Sequence, residues 1–256
     1  MSFPYIKQLW WVVLTQSKHL CNYLNSSMTD VPKPIWPRWT SDDGIGSIEI
    51  LDVFGNDLTV VNAARVSFAK ESLDFDGKDE KLIKYLAKHK HDSPFFHPQI
   101  RLRIKMPIFM AREWFRHTVG FSRNEVSRRY VDSKPELWIP TAKDLRARDA
   151  NLKQGSKDTV VDKADEIAKS LRIVSEKSIE MYESLLQWNV APEIARVMLP
   201  QSMYTEFIET ASLAAYARLI RLRKDSNAQK EIRVYADVLK ALIEVFFPVS
   251  LQALLE

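Results

Sequence analysis

The clearest alternation of apolar and polar positions lies at residues 100–106, where Ile100, Leu102, Ile104 and Met106 interleave with Arg101, Arg103 and Lys105. Period-two spacing of this kind predicts a half-buried strand with a basic outer face. Two shorter alternating runs, Ile48 to Phe54 and Leu58 to Val61, flank Gly55-Asn56-Asp57 and predict a hairpin, or a strand followed by a tight turn. Helical spacing dominates elsewhere. Residues 79–90 place Leu82, Ile83, Tyr85 and Leu86 on one side and lysines on the other. A short helix opens at Pro107 and ends near His117, with Gly120 leading into a loop whose backbone N–H groups are free to meet an anion.

The C-terminal half reads as helices. Ala164, Ile167, Ala168, Leu171, Val174, Ser178, Tyr182 and Leu185 form a stripe over about seven turns up to Gln187, suited to a core or to a subunit interface. Pro192 suits a helix start, the block from Met203 runs through a helix, and a last helix spans Ala228 to about Phe247, where Pro248 ends it. The segment VDSKPELWIP predicts an extended connection, and residues 141–158 a mobile surface loop. The pattern describes an α+β chain, an antiparallel or mixed sheet flanked by long helices, with residues 46–256 as the main domain and 1–45 as a partly extended N-terminal extension. In that extension the apolar run Leu9 to Leu14 is too short to span a bilayer, three prolines fall between Pro32 and Pro37, and Met28 is a candidate start that intact mass would decide.

Composition narrows the class. A chain of 256 residues, 46% hydrophobic and 27% charged, supports one sizeable core. Its single cysteine, Cys21, excludes a disulfide framework and a thiolate metal cluster and points to a reducing, cytoplasmic setting. Six glycines, with no GxGxxG and no P-loop, mean that a dinucleotide would be held by arginines and loop amides rather than by a Rossmann turn.

Charge then singles out one stretch. Between residues 101 and 130 eight Lys or Arg face two acids, a local net of +6 where the whole chain carries +4. His117, Thr118, Ser122, Asn124, Glu125, Ser127 and Tyr130 are interleaved with these cations. Guanidinium forks suit phosphate oxygens, while hydroxyls and a carboxylate suit a base edge or a sugar, so the composition is that of a nucleotide site. A solvated basic surface is the ordinary reading of such a stretch, and the order of its residues weighs against it.

RHTVGFSRNEVSRRY, residues 116–130, resembles the signature RHRxxSxNExSxRY of the flavin-dependent thymidylate synthases. Arg116, His117, Ser122, Asn124, Glu125, Ser127, Arg129 and Tyr130 are kept; Thr118 stands where a third basic residue is usual, and one extra residue precedes Ser122. Further strings agree: AARVSF at 63–68, HDSPFFH at 91–97 with Phe96 in place of the usual glutamate, and a block from Pro200 ending in AQKEIR, in which Ser212, Ala214 and Arg218 fall where Asn, Arg and Asn are usual.

The resemblance implies a homotetramer with the fold of that family, binding FAD and converting dUMP to dTMP with methylenetetrahydrofolate and NADPH. It implies that His91, Ser93, Arg116, His117, Thr118, Asn124, Glu125, Ser212, Ala214 and Arg218 meet the flavin. It implies that Glu113, Arg116, Glu125, Ser127, Arg128, Arg129, Arg196 and Arg223 meet the substrate, with Arg223 polarising the pyrimidine. No metal is expected: His89, His91 and His97 lack an acid or cysteine to complete a ligand set. Neither a membrane nor a nucleic-acid partner is implied. Two other classes stay open, a single-stranded nucleic-acid-binding module with stacking aromatics and an inactive structural homologue of the same fold, besides the same chemistry on a modified pyrimidine nucleotide.

Overall fold

The computed structural model describes residues 36–131, 133–149 and 156–256. The Leu9–Leu14 run, Cys21, Met28 and Pro32 and Pro34 of the proline-rich segment lie outside the described residues. The architecture is α+β. A five-stranded antiparallel sheet has the order β1-β2-β3-β7-β4, formed by β1 (Arg38–Thr40), β2 (Ser47–Phe54), β3 (Gln99–Pro107), β7 (Tyr204–Ser212) and β4 (Phe121–Glu125).

β3 obeys its alternation: Ile100, Leu102, Ile104 and Met106 are at most 1% exposed, so the basic face turns outward. The expected second strand of the first hairpin is instead helix α1 (Asp57–Arg65). Gly55, at φ +88°, turns the chain, and Asn56 and Thr59 exchange side-chain-to-backbone bonds of 3.2 and 3.1 Å in a capping box. Adjacent Val60 and Val61 are both buried, which a half-buried strand would not allow. α2 (Gly77–Lys88) buries Ile83 and Leu86, whereas Tyr85 faces out.

The segment from Met203 is the principal correction. Tyr204 to Ser212 does not continue a helix; it is β7, paired with β3 on one side and β4 on the other. Its β-branched Thr205, Ile208 and Thr210 favour the pleat, and its inward positions include a fully buried acid, Glu209. The anticipated anion-binding loop after Gly120 is likewise a strand, β4, whose backbone groups on one side are taken by β7.

Helix α3 (Ile108–Trp114) follows β3 directly, and α6 (Leu213–Arg223) follows β7 directly, so both start from neighbouring strands. Residues 141–158, expected as a loop, contribute a hairpin of β5 (Arg146–Arg148) and β6 (Ser156–Val160). The long helix is present as α4 (Ala164–Gln187), but only Ala164, Ile179 and Tyr182 of it are buried; Ile167, Leu171 and Val174 are 39 to 63% exposed. After the short α5 (Pro192–Ala195), α7 (Lys230–Glu244) buries its apolar stripe and stops before Pro248 as expected, but it is not the last helix, because Pro248 begins α8 (Pro248–Leu255). Asp57 at the start of α1 accepts the free N–H groups of Val249 and Ser250 at 2.9 Å each, tying α1 to α8. Among the described residues no helix is long and apolar enough to cross a membrane.

Candidate active site

Three segments meet where α3 ends, β4 begins and α6 ends. Arg223, in the last turn of α6, spreads its guanidinium over three acceptors. Its Nε donates to His117 Nε2 at 2.9 Å, one Nη pairs with the Glu113 carboxylate, and the other donates to the Glu113 carbonyl at 3.1 Å. Both charged side chains are largely covered, 18% and 26% exposed. Three bonds on a planar fork fix the plane of the guanidinium.

His117 is 7% exposed and accepts at Nε2, so it is neutral with its proton on Nδ1. Burial, reinforced by the cations Arg223, Arg123 and Arg218, brings its pKa down to about 4. Arg218 donates to the Val119 carbonyl at 2.6 Å and straps the 118–120 turn to α6. Gly120, at φ +82°, lies so close to α6 that an added Cβ would meet Ala215 Cβ at 3.2 Å.

A buried cluster lies behind this turn. Arg123 on β4 pairs with Glu209 on β7, donates to the His117 carbonyl, and sits 4.5 and 5.3 Å from the ring centroids of Phe121 and Phe115. Glu209 also accepts from Trp114 Nε1 at 3.0 Å. Burial pushes its carboxyl upward, opposed by the charge of Arg123 and by the Trp114 bond.

A second basic group gathers near Glu193. Arg129 pairs with its carboxylate at 3.4 Å, and Arg196 Nε donates to its carbonyl at 3.3 Å. The Ser127 hydroxyl accepts from the Arg129 N–H at 3.3 Å. Arg128 donates one Nη to the Ser133 carbonyl. Among the described residues no hydrogen bond or ion pair joins the Arg129–Arg196 group to Arg223. Arg116, Thr118 and Asn124 are exposed, and Glu125 accepts from Thr205 Oγ1 at 2.6 Å.

Two clefts flank α6. One, of about 670 Å³, lies between α2, α6 and α8 and carries Lys84, Lys88, Lys90, Arg218 and Arg221 against Asp92 and Glu256, over a floor that includes Phe96, Ala214 and Ala217. Cations above an apolar floor fit a ligand with both a diphosphate and a fused ring. His91 and Ser93 are exposed beside its lining residues Lys90 and Asp92, with His91 stacked 6.1 Å from Tyr85. Ser212 lies at the start of α6, where its hydroxyl caps the Ala215 N–H at 3.3 Å. The other cleft, about 600 Å³, opens against Glu113 and Arg223 and is bounded by Arg146, Ser156 and Asn227.

Sequence reasoning passed over Arg123, Glu209 and Arg146. The signal for Glu209 was available: in Thr205, Phe207, Glu209, Ala211 it occupies an inward position of an alternating run and so requires a buried partner. Arg65 of the AARVSF string has a structural task, an ion pair with the buried Asp79.

The family described as "Thymidylate synthase complementing protein" matches residues 49–249. A flavin-dependent thymidylate synthase of Treponema denticola is 38% identical over 207 residues, 80% of this chain and 77% of the relative. That of Thermotoga neapolitana is 38% identical over 211 residues, covering 82% and 91%. The crystal structure of a UMP/dUMP methylase PolB from Streptomyces cacaoi bound with 5-Br dUMP superposes with a TM-score of 0.74 at 32% identity, covering 84% of this chain and 95% of the other. The same methylase with 5-Br UMP gives 0.72 at 30%, covering 80% and 92%.

Proposed function

Because the chain belongs to the flavin-dependent thymidylate synthase family, we propose that it methylates dUMP to dTMP reductively, with FAD as cofactor, methylenetetrahydrofolate as carbon donor and NADPH as reductant. The observation that carries this reading is the fixed, partly buried guanidinium of Arg223 between His117 and Glu113. Aimed at a uracil carbonyl and N3, it stabilises negative charge on the ring and raises the nucleophilicity of C5. His117 serves as an uncharged acceptor, so it orients Arg223 without competing for an anion.

When bound, FAD supplies the hydride that completes the methyl group. Lys84, Lys88, Lys90, Arg218 and Arg221 would hold its diphosphate and Phe96, Ala214 and Ala217 would meet its rings, with His91 and Ser93, exposed next to Lys90 and Asp92 in the chain, available to it as well. Ser127, Arg129 and Arg196 would grip the substrate phosphate. Arg116, Thr118 and Asn124 point into solvent and are available to a ligand or to a neighbouring subunit. The exposed apolar stripe of α4, Ile167, Leu171 and Val174, supports self-association, which in this reading is a homotetramer that brings the two arginine groups to shared sites. The cytoplasm, where folate and NADPH chemistry proceeds, is the compartment that this activity requires.

The test is dTMP formation by the purified protein given all four reactants, with Arg223→Ala as control. UMP is the second candidate substrate, favoured by the likeness to a methylase that takes both nucleotides; competition between UMP and dUMP in the same assay ranks them.

A further inference from the structure

We propose that Arg123, anchored by Glu209, is a positioning residue: it fixes the turn that carries His117 and, through the His117 ring, the angle at which Arg223 enters the site. The inference rests on the role of Arg223 given above.

The chain of contacts is continuous. Glu209 lies near the middle of β7, an interior strand between β3 and β4, and is completely buried. Arg123 faces it directly in the β4–β7 register. The Arg123 Nε is committed to Glu209, one Nη to the His117 carbonyl, and the side chain is lodged beside Phe115 and Phe121. The His117 ring then accepts from Arg223. His117 follows the end of α3 and precedes β4, so no helix holds it; its backbone N–H makes a bond of 3.2 Å to Trp114, and its carbonyl is held by Arg123. The same Glu209 binds the Trp114 indole, so one carboxylate ties both ends of the turn to the sheet.

A purely stabilising role explains this pair poorly. Two charges withdrawn from water regain little stability over well-packed apolar side chains of similar volume. What the pair does supply is direction, because a guanidinium fork sets the position of two acceptors at once. It also supplies charge. The groups facing His117 are Arg223 and Arg218 from α6, Glu113 from α3 and Arg123 from β4, with Glu209 behind Arg123. Removing Arg123 takes away one of the three cations that, together with burial, keep the ring neutral.

The experiment replaces both members, Arg123→Met with Glu209→Leu, so that no buried charge is orphaned. The double variant should fold with an unchanged or higher melting temperature and should bind FAD. The His117 ring, observed by proton NMR in the flavin-free protein and assigned with His117→Asn, should titrate above its wild-type value. Turnover of dUMP should fall on the order of 10²-fold, as expected for a reacting group displaced by about 1 Å, with KM changed far less than kcat. A folded double variant with wild-type kcat and wild-type His117 titration overturns the proposal. Should that variant not fold, Arg123→Lys decides: it keeps the charge but loses the rigid planar fork that places both acceptors at once, and a lysine variant with wild-type kcat overturns the proposal equally. Arg223→Ala is assayed alongside. Full activity in that variant removes the reading of Arg223 itself, whereas an inactive Arg223→Ala beside a fully active double variant removes only the positioning role.

Discussion

The Nε of Arg223 donates to the Nε2 of His117 at 2.9 Å, joining residues 106 positions apart in sequence at the junction of α3, β4 and α6. The bond requires a neutral imidazole, and burial, reinforced by the cations around His117, keeps it neutral. The geometry thus couples the direction of one guanidinium to the protonation state of one ring.

Arg223→Ala removes the cation and leaves His117 and Glu113 without their shared partner. The cleft proposed for the flavin is lined by other parts of α6, so FAD binding should be retained while dTMP formation falls by on the order of 10²–10³-fold. Steady-state kinetics and flavin absorbance on the same sample check both halves. Arg223→Lys recovers little, because an ammonium cannot serve three acceptors in one plane.

The pKa of His117 gives a pH dependence of stability. Its folded value of about 4 lies below the ordinary 6.5. Between those values the unfolded chain takes up a proton that the folded chain refuses. Stability therefore rises with pH across this window: the contribution is complete above about 6.5 and is lost as pH falls toward 4, amounting to at most about 3 kcal/mol. Chemical denaturation at several pH values should show this slope in the wild-type protein and a shallower one in His117→Asn.

Arg129 and Arg196 converge on Glu193, whose carboxylate accepts from the first and whose backbone carbonyl accepts from the second. Arg129→Ala weakens dUMP binding by about 10- to 100-fold, the loss of one charge-assisted contact. Titration of dUMP against the flavin spectrum measures it. Glu193→Gln, which releases Arg129 from its competitor, should leave dUMP affinity equal or higher.

Asp57 caps the first turn of α8 through two backbone bonds of 2.9 Å. Asp57→Ala leaves both N–H groups without that acceptor and costs about 1–3 kcal/mol, which lowers the melting temperature by several degrees. A thermal melt followed by circular dichroism checks it.

Much of this was legible in the chain. The strand at 99–107 and the helices at 77–88, 164–187 and 230–244 lie within a few residues of where spacing places them, because each is long enough, or alternates strictly enough, for one face to declare itself, and the short helix at 108–114 was marked by Pro107. Leu58 to Val61 misled because four residues cannot separate a period of 2 from one of 3.6, and the deciding signal was the Asn56–Thr59 capping box. β7 was hidden by an inward acid: Glu209 breaks the apolar face that would have marked a central strand, and its compensation by Arg123 and Trp114 comes from segments 86 and 95 residues away. The meeting of Arg223 with Glu113 has the same character. Residue types announced a nucleotide site, but which arginine finds which acid depends on strand order, and that is a property of the folded sheet.

The central claim is that these arginines hold a pyrimidine nucleotide beside a bound flavin. The most direct measurement is the visible absorbance spectrum of the protein after incubation with FAD and gel filtration, recorded before and after addition of dUMP. The account predicts flavin bands that survive the column and shift on nucleotide addition. A colourless protein, whose added flavin spectrum is indifferent to dUMP, would contradict it.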